Sequence, residues 1–119
     1  MTELSALQDY LLSKPATSHD QPFGPDVLVF RVGGKIYALV AWEKRPLEVS
    51  LKCDPDNALF LRSLYPTVRP GYHLNKKHWN TITLDGGIPA GEIRKMIDES
   101  YDLIFSSLHR VDRERITGS

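Results

Sequence analysis

The chain lacks most of the features that would classify it quickly. It has one cysteine, Cys53, among 119 residues, so no intrachain disulfide can form, and a reducing, cytoplasmic setting is the expected home. It has no excess charge of either sign: 15 basic and 15 acidic side chains leave a formal net charge of zero. That excludes the strongly basic kind of nucleic-acid-binding domain, with a pI above ~9, while leaving room for a local patch. No apolar run approaches the ~18 residues of a membrane helix. The first ten residues carry two acids and no base, the wrong sign for the start of a secretory signal. Close, paired Cys/His spacing is missing as well. His73 and His78 stand an odd number of residues apart, which on a strand points them to opposite faces, so no metal is expected.

What is present is ordinary for a globular protein: 41% hydrophobic and 25% charged residues. The length suits one domain, read here as residues 1–110 with a polar, frayed tail over 111–119. Leu4, Leu7 and Leu11 recur at helical spacing behind Thr2 or Ser5 as N-cap, and Pro15 stops this helix. Residues 14–26 hold three prolines and a glycine and read as loop. Val27–Val32 and Lys35–Ala41 read as strands joined by a Gly33-Gly34 hairpin turn. Leu47–Cys53 alternates cleanly, with Leu47, Val49, Leu51 and Cys53 on one face and Glu48, Ser50 and Lys52 on the other.

Asp54-Pro55 then marks a helix start, and the helix runs to about Leu64, burying Ala58, Leu61 and Leu64. Residues 72–75 and 79–84 read as short strands, the second ending at Asp85-Gly86-Gly87. Pro89 opens the last helix, whose stripe is Ile93, Met96, Ile97, Tyr101, Ile104 and Leu108. Glu92 at its start and His109 and Arg110 at its end complement the helix dipole. The order αβββαββα predicts an α+β two-layer sandwich, an antiparallel sheet with helices on one face.

One segment stands apart. Between Asp56 and Asp85 there is no acid, while Arg62, Arg69, Lys76, Lys77, His73 and His78 fall within it. The densest part, residues 69–81, interleaves cations with Tyr72 and Trp79, the residue types that pair with phosphates and stack on bases. Asn75 and Asn80 add amide groups suited to base edges or phosphates. A solvated turn with a sheet aromatic beside it explains the same residues. Catalysis finds no such cluster. Cys53 lies on an apolar strand face, where a thiol behaves as a small hydrophobe, and neither a G-x-S-x-G elbow nor a phosphate-cradling glycine–lysine loop occurs. A non-enzymatic protein is expected.

Pro22-Phe23-Gly24, Val32-Gly33-Gly34-Lys35, Ser50-Leu51-Lys52-Cys53, Val68-Arg69-Pro70-Gly71-Tyr72-His73, Leu74-Asn75-Lys76-Lys77-His78-Trp79-Asn80-Thr81, Leu84-Asp85-Gly86 and Ser100-Tyr101 together resemble the MmcQ/YjbR family of small bacterial proteins, over about residues 3–109. The resemblance implies a sandwich similar to type III secretion chaperones and frataxin. It also implies DNA binding, with the family motif falling on Arg69, His73, Asn75, Lys76, His78 and Trp79. It carries no catalytic residue and no cofactor.

Three functions therefore compete. The first is DNA binding through Arg69, Tyr72, His73, Asn75, Lys76, Lys77, His78 and Trp79, beside the outward sheet positions Ser50, Lys52, Thr81 and Thr83. The second is a protein-interaction or chaperone-like module, using the sheet or its edge to hold a protein partner or a second copy, with Phe23, Trp42 and Phe105 as candidate contacts. The third is a small-molecule pocket lined by Tyr72, His73, Asn75 and Trp79, recognisable as a concave site around those side chains.

Overall fold

The alternating segment that starts at Leu47 sits near the middle of the sheet. In a computed structural model describing residues 1–118, the chain runs α1 (Leu4–Ser13), β1 (Thr17–Asp20), β2 (Leu28–Val32), β3 (Lys35–Ala41), β4 (Leu47–Lys52), α2 (Pro55–Leu64), β5 (Val68–Pro70), β6 (Trp79–Leu84), α3 (Ala90–Ser106) and α4 (Arg110–Thr117). The strands form one antiparallel sheet in the order β1-β2-β3-β4-β6-β5. In β4, Leu47, Val49 and Leu51 are buried, while Glu48, Ser50 and Lys52 stay half-exposed on the opposite face.

The predicted α+β sandwich is the observed fold. The apolar stripe of α3 (Ile93, Met96, Ile97, Tyr101, Ile104) packs with Leu7 and Leu11 of α1 and Ala58 and Leu61 of α2 against one face of the sheet. Each large side chain buried there contributes roughly 1.5–3 kcal/mol relative to exposure. Ser100 is a buried polar member of this layer. Its Oγ donates to the Tyr37 carbonyl at 2.6 Å and accepts from Lys52 N–H at 2.9 Å, pinning α3 to the end of the β3–β4 pairing. Asp54 caps α2 as expected, accepting from Asn57 N–H at 3.3 Å.

The Gly33-Gly34 turn takes φ values of 58° and 80°, which glycine tolerates and other residues resist. Gly33 is required twice over, because a Cβ there would lie 2.6 Å from the Leu108 side chain.

Several local expectations give way. The 14–26 loop contains β1, an edge strand pairing Thr17–Asp20 with Val32–Val29. Its polar sequence hides it, since backbone pairing and polar contacts such as Arg31–Asp20 hold it instead of buried apolar side chains. Residues 72–75 are a turn instead of a strand, and the short partner of β6 is Val68–Pro70. Neither Thr2 nor Ser5 caps α1: Glu3 holds the cap position without a side-chain bond. Leu64 is exposed. α3 ends at Ser106 with no basic residue in its last turn, and His109 is the N-cap position of α4. The tail expected to fray is helical over Arg110–Thr117, with Ile116 packed on the core; its last residue, Ser119, lies outside the described residues.

Candidate functional site

With helices on one face, the other face of the sheet carries a hollow of about 630 Å³. The pairing register assembles its floor. Leu39 of β3, Ser50 of β4 and Thr81 of β6 lie in one cross-strand row, with Ala41 and Glu48 in the next. Ser50 Oγ and Thr81 Oγ1 are 2.8 Å apart, and Thr81 Oγ1 also accepts from Tyr72 N–H at 3.1 Å. Two hydroxyls joined in this way leave one O–H proton for a third group.

Two loops make the walls. Phe23, Asp26 and Val27 stand on the β2–β3 side, in a loop held by Gln21 Nε2 and Trp42 Nε1, which both donate to the Pro25 carbonyl at 2.8 Å. Tyr72, His73 and Leu74 stand on the β6 side, and Glu43 and Lys44 close one end. The Tyr72 wall belongs to a loop cinched by Gly71 N–H on the Trp79 carbonyl at 2.8 Å. Gly71 is necessary to this approach, since a Cβ there would fall 2.8 Å from Trp79 Cβ and 3.1 Å from its carbonyl oxygen. Arg62 of α2 ties the same loop down from the core side: Nε donates to Asn80 Oδ1 at 2.7 Å, and Nη2 donates to the carbonyls of Lys76 and Trp79. His73 takes the left-handed backbone conformation at φ 59° and sets its ring 3.9 Å from that of Tyr72. Non-glycine residues avoid this region, and such strain gathers where a site needs a fixed geometry.

The predicted residues separate under this geometry. Tyr72 and His73 are brought to the cleft. Arg69 lies on the open face but is engaged, donating to Thr83 Oγ1 at 2.5 Å and pairing with Glu48 at 3.4 Å. Asn75 accepts from Lys77 N–H at 3.0 Å within its own turn, and Lys76 Nζ donates to the Gly71 carbonyl at 3.1 Å. Lys76 and Lys77 are exposed, and His78 is half-buried. Trp79, also half-buried, pairs across strands with Lys52 on the open face. Asn80 points into the core, bonded to Arg62 and to the Ala58 carbonyl. The small-molecule pocket anticipated around Tyr72, His73, Asn75 and Trp79 is therefore lined by only the first two. Phe23, Asp26, Leu39, Ala41 and Glu43 also line it; of these, Phe23 alone carried a sequence signal, through the Pro22-Phe23-Gly24 motif.

Cys53 lies elsewhere, on the core side. Burial, with Glu99 nearby, pushes its thiol up to about 12, and its Sγ meets Glu99 Oε1 at 3.6 Å. Among the described residues, no group of three or more His, Cys, Asp or Glu is arranged to hold a metal ion. Nor is any helix among them long and apolar enough to cross a membrane.

Comparison with known proteins gives consistent relatives. The chain is 37% identical to the uncharacterized protein YbdF of Escherichia coli O157:H7, covering 80% of this chain and 78% of that protein. It is 35% identical to the uncharacterized protein YjbR of E. coli K12, covering 82% and 83%. The crystal structure of Deinococcus radiodurans protein DR2400, of domain type DUF419, is similar at a TM-score of 0.93 and 36% identity, over 98% of this chain and 89% of that one. A protein from Pseudomonas syringae is similar at a TM-score of 0.74 and 32% identity, over 86% and 98%. The YjbR family model matches residues 12–103, and the chain belongs to the YjbR family.

Proposed function

We propose that the protein is a non-catalytic binding module whose site is the cleft on the open face of the sheet, taking a small, partly apolar ligand. The observation that carries this reading is the hollow itself: about 630 Å³, floored by Leu39 and Ala41 with the Ser50–Thr81 hydroxyl pair and flanked by the exposed rings of Phe23 and Tyr72. A concave, mainly apolar lining with a few fixed polar groups, within roughly 300–1,000 Å³, is the usual form of a small-ligand site. Binding without chemistry fits a thiol that is buried and held protonated. The same reduced, buried cysteine suits a cytoplasmic setting.

DNA binding is the second reading. Lys52, Lys76, Lys77 and Trp79 support it, gathering at the far end of the open face from the Glu43–Lys44 turn. It is the weaker of the two, because Arg69 and Asn75 already spend polar groups on internal bonds.

Both readings are tested together by following backbone amide signals while adding flat fragments, then single- and double-stranded oligonucleotides at ~50 and ~200 mM salt. The cleft reading expects fragments to shift Ser50, Thr81 and Tyr72. Salt-sensitive oligonucleotide binding confined to Lys76, Lys77 and Trp79, with no fragment response, would replace it with the second.

A further inference from the structure

Resting on the cleft reading, we infer that the ligand is a flat aromatic ring bearing a cationic amine. Two features of the lining lead there. Phe23 and Tyr72 are 62% and 66% exposed, and they stand on opposite walls of one hollow with the β3 and β4 floor between them. Single exposed rings are commonplace on protein surfaces. Two such rings lining one hollow with a partly apolar floor offer surfaces to a third ring, held by offset or edge contacts.

The charges then choose the sign. Three carboxylates line the hollow, Asp26, Glu43 and Glu48, against one lysine, Lys44, and the imidazole of His73, whose ring lies 3.9 Å from that of Tyr72. Lys44 Nζ is committed to Glu48 at 3.2 Å and sits 5.9 Å from the Tyr72 ring; Arg69 of β5, two strands over, is committed to the same glutamate. Arg45, next in sequence, turns its guanidinium onto the carbonyls of Trp42 and Lys44. Glu48 is thus already paired twice, while the carboxylates of Asp26 and Glu43 have no cation partner among the described residues. An anionic ligand finds no uncommitted lysine or arginine in the lining and two uncompensated acids. An amine finds those acids at the rim, and the spare proton of the Ser50–Thr81 pair can meet an acceptor on the ring.

Tryptamine and indole-3-acetate provide the test, since they share a ring and carry opposite charges, with uncharged indole as the third probe. Each is titrated into the full-length protein while amide shifts of Ser50, Thr81, Tyr72 and Glu43 are followed. Tryptamine is expected to bind at least about tenfold more tightly than indole-3-acetate. In the double variant Asp26→Asn/Glu43→Gln, both sites being exposed, that preference should collapse while the melting temperature holds. Equal binding of the two charged probes, tighter binding of the acetate, or binding of indole alone overturns the amine assignment and leaves the cleft as a ring-binding site. If none of the three probes, nor any fragment, moves these signals, the cleft reading fails along with the amine.

Discussion

Adjacent residues of β4 meet two different surroundings. Val49 faces Ile82 and Val40 in a dry layer covered by helices, whereas Ser50 faces Thr81 and Leu39 at the floor of an open hollow. Strand pairing is shared by both faces, so the difference lies in the side chains and in what covers them. On the helix side most positions are hydrophobes, and the polar atoms among them, such as those of Ser100, Asn80, Tyr37 and Tyr101, are hydrogen-bonded within the layer. On the open side, hydroxyls, acids and rings alternate with small apolar groups, and no secondary element seals them. The comparison separates residues that hold the sheet together from residues that are free to meet something else.

The largest expected effect comes from cutting into the closed face. Ile97 is fully buried, and Ile97→Ala should cost about 2–5 kcal/mol. Leu39→Ala on the open face should cost well under half as much and instead weaken fragment binding; urea unfolding of both variants measures the contrast. Arg62 links the two faces, since it reaches from α2 to the loop that carries Tyr72. Arg62→Ala should lose about 1–3 kcal/mol by stranding Asn80 and two carbonyls, and amide signals across 71–79 should broaden. Unchanged signals there would show that the wall stands without its anchor.

The hairpin glycines sharpen the same division. Gly34→Ala meets open space and should cost about 1 kcal/mol from its positive φ alone. Gly33→Ala also drives a methyl into Leu108 and should cost more, as thermal melts of the pair will read. The smallest effect is at Asp98, 40% exposed on the helix layer. Burial raises its carboxyl, but hydrogen bonds from Lys14 and Tyr10 and the charges of Lys14 and Arg94 outweigh that and hold it below the ordinary range. Its contribution is complete above the unfolded value of ~3.9 and is lost as pH falls through the lower folded value. Asp98→Asn should therefore remove less than about 1 kcal/mol at neutral pH and nothing once both states are protonated. Urea titrations at pH 7 and at successively lower pH will follow that loss.

The closed face was legible in the sequence because its signals are local. The alternation in β4 and the stripe of α3 each lie within one element and state which side is inward. Elements held by backbone pairing or by surface charge left no such trace. Thr17–Asp20 offers no apolar residue to read. α4 is carried by Arg110–Glu114 and Arg115–Asp112 pairs and an αL cap at Gly118, with Ile116 packed on the core cluster and Arg113 bonded to the Leu108 carbonyl. Tyr72–Asn75 has strand-like composition, yet His73 turns the backbone left-handed and breaks the strand. The cleft was half legible. Ser50 and Thr81 could be assigned outward, and Tyr72 and His73 marked a dense segment. Their union with Phe23, Asp26 and Glu43 needs strand order and register, which spacing along the chain does not contain.

The order of strands also fixes where the sheet stops. On one side it ends in four residues, Thr17–Asp20, three of them exposed, with Asp20 held by Arg31 at 3.0 Å. On the other it ends in three residues that close with Pro70, which has no N–H to offer. Brevity, charge and proline are the means by which natural sheets deny a neighbour a template. The unpaired backbone at either margin of the sheet is thus too short to template a long added strand.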